Sequence, residues 1–218
     1  MKEASHVLQD SAAPAKTMPR SRIMLLVGER QVGKSVVCQK LTRLLRETSI
    51  AVSGLLTRRT GPHALEVTEI HTSARYPLTL PFDDTAGVAL THFRMDLQAM
   101  ARSAAALEGA FPTQVFILDE LGPLELELKQ GWSHALQLLR RKRYTLALIV
   151  VRPELLVEAI WQLPISVYTV IRVTPQNRDA LPASLYQIAY EWCAAPDAVP
   201  MPGSESAPHE RDKKEVEH

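Results

Sequence analysis

The run Gly28-Glu29-Arg30-Gln31-Val32-Gly33-Lys34-Ser35 meets the spacing G-x-x-x-x-G-K-[ST] at every fixed position. These residue types at this spacing suit the holding of a polyphosphate. Glycines let the chain turn and bring backbone close to phosphate oxygens. Successive N–H groups then point inward as an anion nest. A helix starting near Lys34 adds unpaired amides and the positive end of its dipole. Amides of Glu29, Arg30, Gln31, Val32, Gly33 and Val36 are expected to complete the cradle. Lys34 is a point charge able to reach the β- and γ-phosphates, and the Ser35 hydroxyl is expected to bind Mg²⁺.

A second chemical element lies far along the chain. Val115-Phe116-Ile117-Leu118 is apolar and ends in Asp119-Glu120. A buried strand that delivers an acid to the carboxyl edge of a sheet places Asp119 to hold Mg²⁺, directly or through water. Glu120 can then orient or deprotonate a water attacking a γ-phosphate. On its own, an acidic strand end is ordinary polar termination. Paired with the phosphate loop, it reads as a catalytic element.

Weaker candidates flank these two. Asn177 and Arg178 follow the last apolar run, where an arginine can stack on a base; helix capping by Asn177 or Asp179 is the competing reading. Arg58 and Arg59 follow the second strand and suit either γ-phosphate stabilisation or simple solvation. Glu125 and Glu127 alternate with Leu124, Leu126 and Leu128, which predicts a solvated face of a short extended piece with no chemistry. The seven histidines lack metal-ligand spacing.

These residues need a frame. Ile23–Val27 predicts a strand buried on both faces, followed by a helix over Lys34–Glu47 with Val37, Leu41, Leu44 and Leu45 on one side. Ile50–Thr57 reads as the second strand. Over 62–82 the pattern is irregular, with Pro77 and Pro81 pointing to edge strands or loops and a small β-hairpin insertion. Asp83–Gly87 reads as a turn. Further helices are expected over 95–107 and 131–141, strands over 115–118, 144–151 and 165–173, a helix opened by Pro153, and a closing helix through Leu185, Ile188, Ala189 and Trp192. This alternation predicts a three-layer α/β domain: a mostly parallel sheet with helices on both faces, whose ligands sit beyond the carboxyl ends of the strands.

The 218 residues, 46% of them hydrophobic, suffice for one such domain. Residues 1–20 read as a disordered leader, 21–193 as the domain, and 194–218 as a charged, proline-containing tail that can serve a protein partner. With 25 basic and 24 acidic residues the net charge is +1, which disfavours nucleic acid and anionic membrane as partners. Two distant cysteines, Cys38 and Cys193, fit a reducing, cytoplasmic setting.

Three stretches carry a resemblance. Leu118-Asp119-Glu120-Leu121-Gly122-Pro123-Leu124-Glu125-Leu126 resembles the D-E-[IL]-G-x-[ML]-E signature of the small nucleoside-triphosphatase family first described from thermophiles. Val52–Thr57 resembles that family's G-G-F-x-T strand, with Ser53 in place of the first glycine and Leu55 in place of the aromatic. Thr174-Pro175-Gln176-Asn177-Arg178-Asp179 is similar to its T-P-x-N-R-D segment. The similarity spans about residues 22–190. It implies a P-loop NTPase fold and Mg²⁺-dependent hydrolysis of several nucleoside triphosphates to diphosphate and phosphate. Two other uses of the same loop stay open at this level: a nucleotide or small-molecule kinase, and a slow nucleotide-gated switch or assembly module.

Overall fold

The computed structural model describes residues 21–164, 168–195 and 198–201. The expected leader, most of the tail and the first residues of the expected last strand lie outside the described residues.

Among the described residues, ten strands and six α-helices build the fold: β1 (Arg22–Val27), α1 (Lys34–Glu47), β2 (Val52–Gly61), β3 (Ala64–Glu69), β4 (Arg75–Pro77), β5 (Thr79–Leu80), β6 (Val88–Ala89), β7 (Arg94–Met95), α2 (Leu97–Glu108), β8 (Thr113–Leu121), α3 (Pro123–Leu126), α4 (Ala135–Arg140), β9 (Tyr144–Val151), α5 (Leu156–Gln162), β10 (Tyr168–Arg172) and α6 (Leu181–Ala194). The main sheet runs in the order β10-β1-β9-β8-β2-β3-β4. Its pairs from β10 to β2 are parallel, and β3 and β4 add antiparallel at one edge.

Alternation along each central strand divides the core in two, because successive side chains leave a strand on opposite faces. Met24, Leu26, Ile117, Leu146, Leu148 and Val150 pack with Val37, Leu41 and Leu45 of α1 and Leu185 and Ala189 of α6. Ile23, Leu25, Phe116, Leu118, Ala147 and Ile149 pack on the opposite side with residues of α2, α4 and α5. The result is the expected three-layer arrangement. Every residue of β9 is buried, which explains why its sequence is a continuous apolar run rather than an alternation.

The stretch over 62–82 contains the expected antiparallel pairing, β3 with β4, and more than a small hairpin. The β2–β3 hairpin and β4 extend the main sheet, and Pro77 lies in the edge strand, where a missing N–H is tolerated. The chain then builds a separate three-stranded sheet, β5-β7-β6. Its strands are two residues each, too short to show a periodicity in sequence.

Ser53 and Gly54 explain one departure from the family pattern. The Ser53 hydroxyl is buried and donates to Ala110 O at 2.6 Å, so a side chain fits there. At Gly54, φ is 111° and a Cβ would lie 1.9 Å from Ile117 O. Only glycine allows β2 to run this close to β8.

Candidate active site

The phosphate-loop residues connect the end of β1 to α1, as expected. Gly33 precedes the helix with φ 115°, a left-handed conformation that favours glycine. Lys34 is 5% exposed. Its ammonium donates to Gly28 O at 2.5 Å and Glu29 O at 2.9 Å, which folds the side chain across the mouth of its own loop. Burial lowers the Lys34 pKa, while Glu120 and Asp119 pull it upward.

Asp119 lies near the end of β8 and is 0% exposed. One carboxylate oxygen accepts from the Thr57 amide at 3.3 Å and the Thr57 hydroxyl at 3.2 Å. The other, Oδ1, is buried with no hydrogen-bond partner among the described residues. Burial raises this carboxyl to about 7, the neighbouring Glu120 charge adds to the rise, and the nearby Ser35 hydroxyl and the hydrogen bonds from Thr57 oppose it. Ser35 at the start of α1 thus meets Asp119 of β8, although β9 lies between β1 and β8 in the sheet.

Glu120 is partly exposed. Its Oε1 accepts from Arg152 Nε at 2.7 Å, and the two side chains are 28% and 23% exposed. Arg152 follows β9 directly, so strand order brings the pair together. Sequence reasoning missed both Thr57 and Arg152. For Arg152 the local signal was a polar residue at the carboxyl end of a buried strand, a feature that also arises from simple strand termination; Thr57 closes the stretch that resembles the family's G-G-F-x-T strand, without a role attached to it.

Glu125 corrects an expectation. It is 4% exposed, in the helical turn α3 rather than on a solvated strand face. Its carboxylate accepts from Gly122 N at 2.9 Å and Trp132 N at 3.2 Å, holding the loop after β8. Burial raises its pKa to about 7, against those backbone bonds.

Asn177 and Arg178 lie in the turn between β10 and α6. The Asn177 amide closes that turn, accepting from Thr174 N and donating to Arg172 O, both at 2.8 Å. Arg178 lies along the phosphate loop: its Cδ would be 3.1 Å from a Cβ on Gly33, and it donates to Val32 O at 3.3 Å. Arg58 pairs with Glu66 at 3.1 Å. Arg59 donates to the carbonyls of Gly61 and Pro62. Cys38 is a buried core residue.

A cavity of about 500 Å³ opens between these elements. Lys34, Ser35, Thr57, Glu120 and Arg152 line one part, and side chains from the 62–95 region, α2 and the segment after β8 line the rest. A family model described as NTPase matches residues 23–186. The chain belongs to this NTPase family. The NTPase resembles a protein named nucleoside-triphosphatase THEP1 from Methanopyrus kandleri, with 29% identity over 184 residues, 78% of this chain and 96% of the relative. Its fold resembles the crystal structure of THEP1 from Aquifex aeolicus, with a TM-score of 0.52 and 18% identity over 77% of this chain and 98% of that one. The matched span contains both the phosphate loop and the Asp119-Glu120 element of this NTPase. No helix among the described residues is long and apolar enough to cross a membrane.

Proposed function

We propose that this NTPase hydrolyses the γ-phosphoryl bond of nucleoside triphosphates with Mg²⁺, releasing a nucleoside diphosphate and phosphate, in the cytoplasm. The buried Asp119 carboxylate carries the reading. An unpartnered, desolvated oxygen beside Ser35 is costly in the free protein, and a hard cation would satisfy it. Two protein oxygens suit Mg²⁺, which binds through one or two carboxylates plus substrate phosphates and waters. Asp119 and Ser35 would hold the ion, and when bound it neutralises charge developing on the phosphates.

The chain's own residues supply the rest. Amides from Gly28 to Val36 take the phosphates. Lys34 exchanges its loop carbonyls for β- and γ-phosphate oxygens. Glu120 orients the water and takes its proton, and Arg152 holds the Glu120 carboxylate in place. Phosphoryl transfer asks mainly for positioning and charge stabilisation, and these groups provide both. Arg178 flanks the loop where it can touch the nucleotide, with Asn177 fixing the turn that carries it. Recognition through phosphates rather than base edges supports use of ATP, GTP, CTP and UTP alike.

The test is phosphate release from each of the four nucleotides with Mg²⁺. Lys34→Ala should lose nucleotide affinity. Glu120→Gln should keep binding and lose turnover by about 10²- to 10⁴-fold. Hydrolysis by Glu120→Gln at the parent rate would remove the assigned base.

A further inference from the structure

The cavity measures about 500 Å³, within the range typical of small-molecule sites, and its lining runs beyond the phosphate-loop residues that would hold the triphosphate. Part of its lining is apolar, contributed by Leu78, Leu90, Phe93, Met95, Met100 and Trp132. Most of these come from the second sheet and its surroundings, which are separate from the β1, α1 and β8 frame of the phosphate site. The Leu90 amide donates to Phe93 O at 2.7 Å and closes the turn between β6 and β7.

The wall holds one acid, Glu125, already committed to the backbone amides of Gly122 and Trp132. It therefore offers a ligand no free countercharge. The arginines on the lining, Arg58, Arg59 and Arg152, have partners in Glu66, two backbone carbonyls and Glu120. Arg30 also lines the space, as part of the phosphate loop. The same cavity is lined by Lys34, Ser35 and Glu120, so a molecule on the apolar wall lies beside the position assigned to the γ-phosphate. Asn177 and Arg178 are not among its lining residues.

We propose that the apolar part of this cavity is an acceptor site for a small, uncharged, largely apolar alcohol, whose hydroxyl takes the place of water beside Glu120. This rests on the assignment of the phosphate site above. The alcohol oxygen forms a bond to the γ-phosphorus as the bond from that phosphorus to the β–γ bridging oxygen breaks. The hydroxyl proton passes to the Glu120 carboxylate. The products are a phosphate monoester and the nucleoside diphosphate. Hydrolysis is then what the site does when the wall is empty.

The test uses the full chain with Mg-ATP and, in separate reactions, n-hexanol, cyclohexylmethanol or 2-phenylethanol at about 10 mM, followed by ³¹P NMR. Unassisted competition against water at about 55 M would give ester in roughly one turnover in 5,000. A bound alcohol should exceed that share by at least about 100-fold, because binding raises its effective concentration at the phosphorus. Leu90→Trp, which fills the wall, should lower the ester-to-phosphate ratio about tenfold while phosphate release without alcohol stays within about twofold. Leu90→Asn, which makes the wall polar without adding bulk, should do the same. Ester at the unassisted share with all three alcohols overturns the acceptor site, as does an ester share unchanged in both folded variants. Phosphate release without alcohol is scored in the same experiment. Ester formation without such release supports the acceptor site and refutes hydrolysis; release without excess ester does the reverse.

Discussion

Asp119→Asn in EDTA-treated, nucleotide-free protein isolates the cost of the buried charge. Burial and then Glu120 raise this carboxyl from 3.8 to about 7. An unfolded chain ionises the group near the lower value. Between about pH 4 and pH 7 the folded state thus holds a proton that the unfolded state has lost, and stability falls as pH rises through that window. The difference amounts to about 2 kcal/mol at pH 5 and about 4 kcal/mol at pH 8, a loss of about 2–3 kcal/mol across the interval. Asparagine cannot ionise and lacks this slope. Its carbonyl can still accept from Thr57, but its amide leaves a buried donor at the Oδ1 position, which costs about 1–3 kcal/mol. The parent and variant should therefore be nearly equal in stability at pH 5. At pH 8 the variant should be more stable by about 1–3 kcal/mol. Glu125 is also raised to about 7, but it is present in both proteins and cancels in the comparison. Urea unfolding followed by tryptophan fluorescence at pH 5, 6.5 and 8 measures the difference. Parallel pH profiles, or a variant less stable than the parent at pH 8, would refute the reasoning.

Further outcomes follow from the same geometry. Arg152→Ala frees Glu120 from its 2.7 Å partner and should lower kcat about 10- to 100-fold with nucleotide affinity little changed, whereas Arg152→Lys should recover part of the rate; steady-state kinetics and nucleotide titration together read this. Gly54→Ala drives a Cβ toward Ile117 O and should cost more than about 3 kcal/mol or abolish folding, while Ser53→Gly loses one buried hydrogen bond and gains backbone freedom, at about 1–2 kcal/mol by urea unfolding. Arg178→Ala should weaken Mg-ATP binding about three- to tenfold by calorimetry with kcat nearly unchanged. Trp132→Phe removes the indole bond to Ser103 at 2.8 Å and should lower stability by about 1 kcal/mol.

The sequence alone was enough for the turn over 28–33 that joins β1 to α1, the start of α1 at Lys34, the limits of β9, and the buried strand carrying Asp119. These depend on adjacent residues: a glycine spacing and runs of apolar side chains whose periods are set by local backbone geometry. Tertiary structure alone decided the partners. Thr57 meets Asp119 across 62 positions, and Arg152 meets Glu120 across 32. Such contacts depend on strand order, and periodicity shows which face is buried without showing which strand lies alongside. Glu125 shows the same limit: an acid between leucines looks solvated until Gly122 and Trp132 present their amides to it. The cavity wall was equally out of reach, because its two-residue strands are too short to mark a pattern and its shape arises only where a second sheet closes against the carboxyl edge of the first.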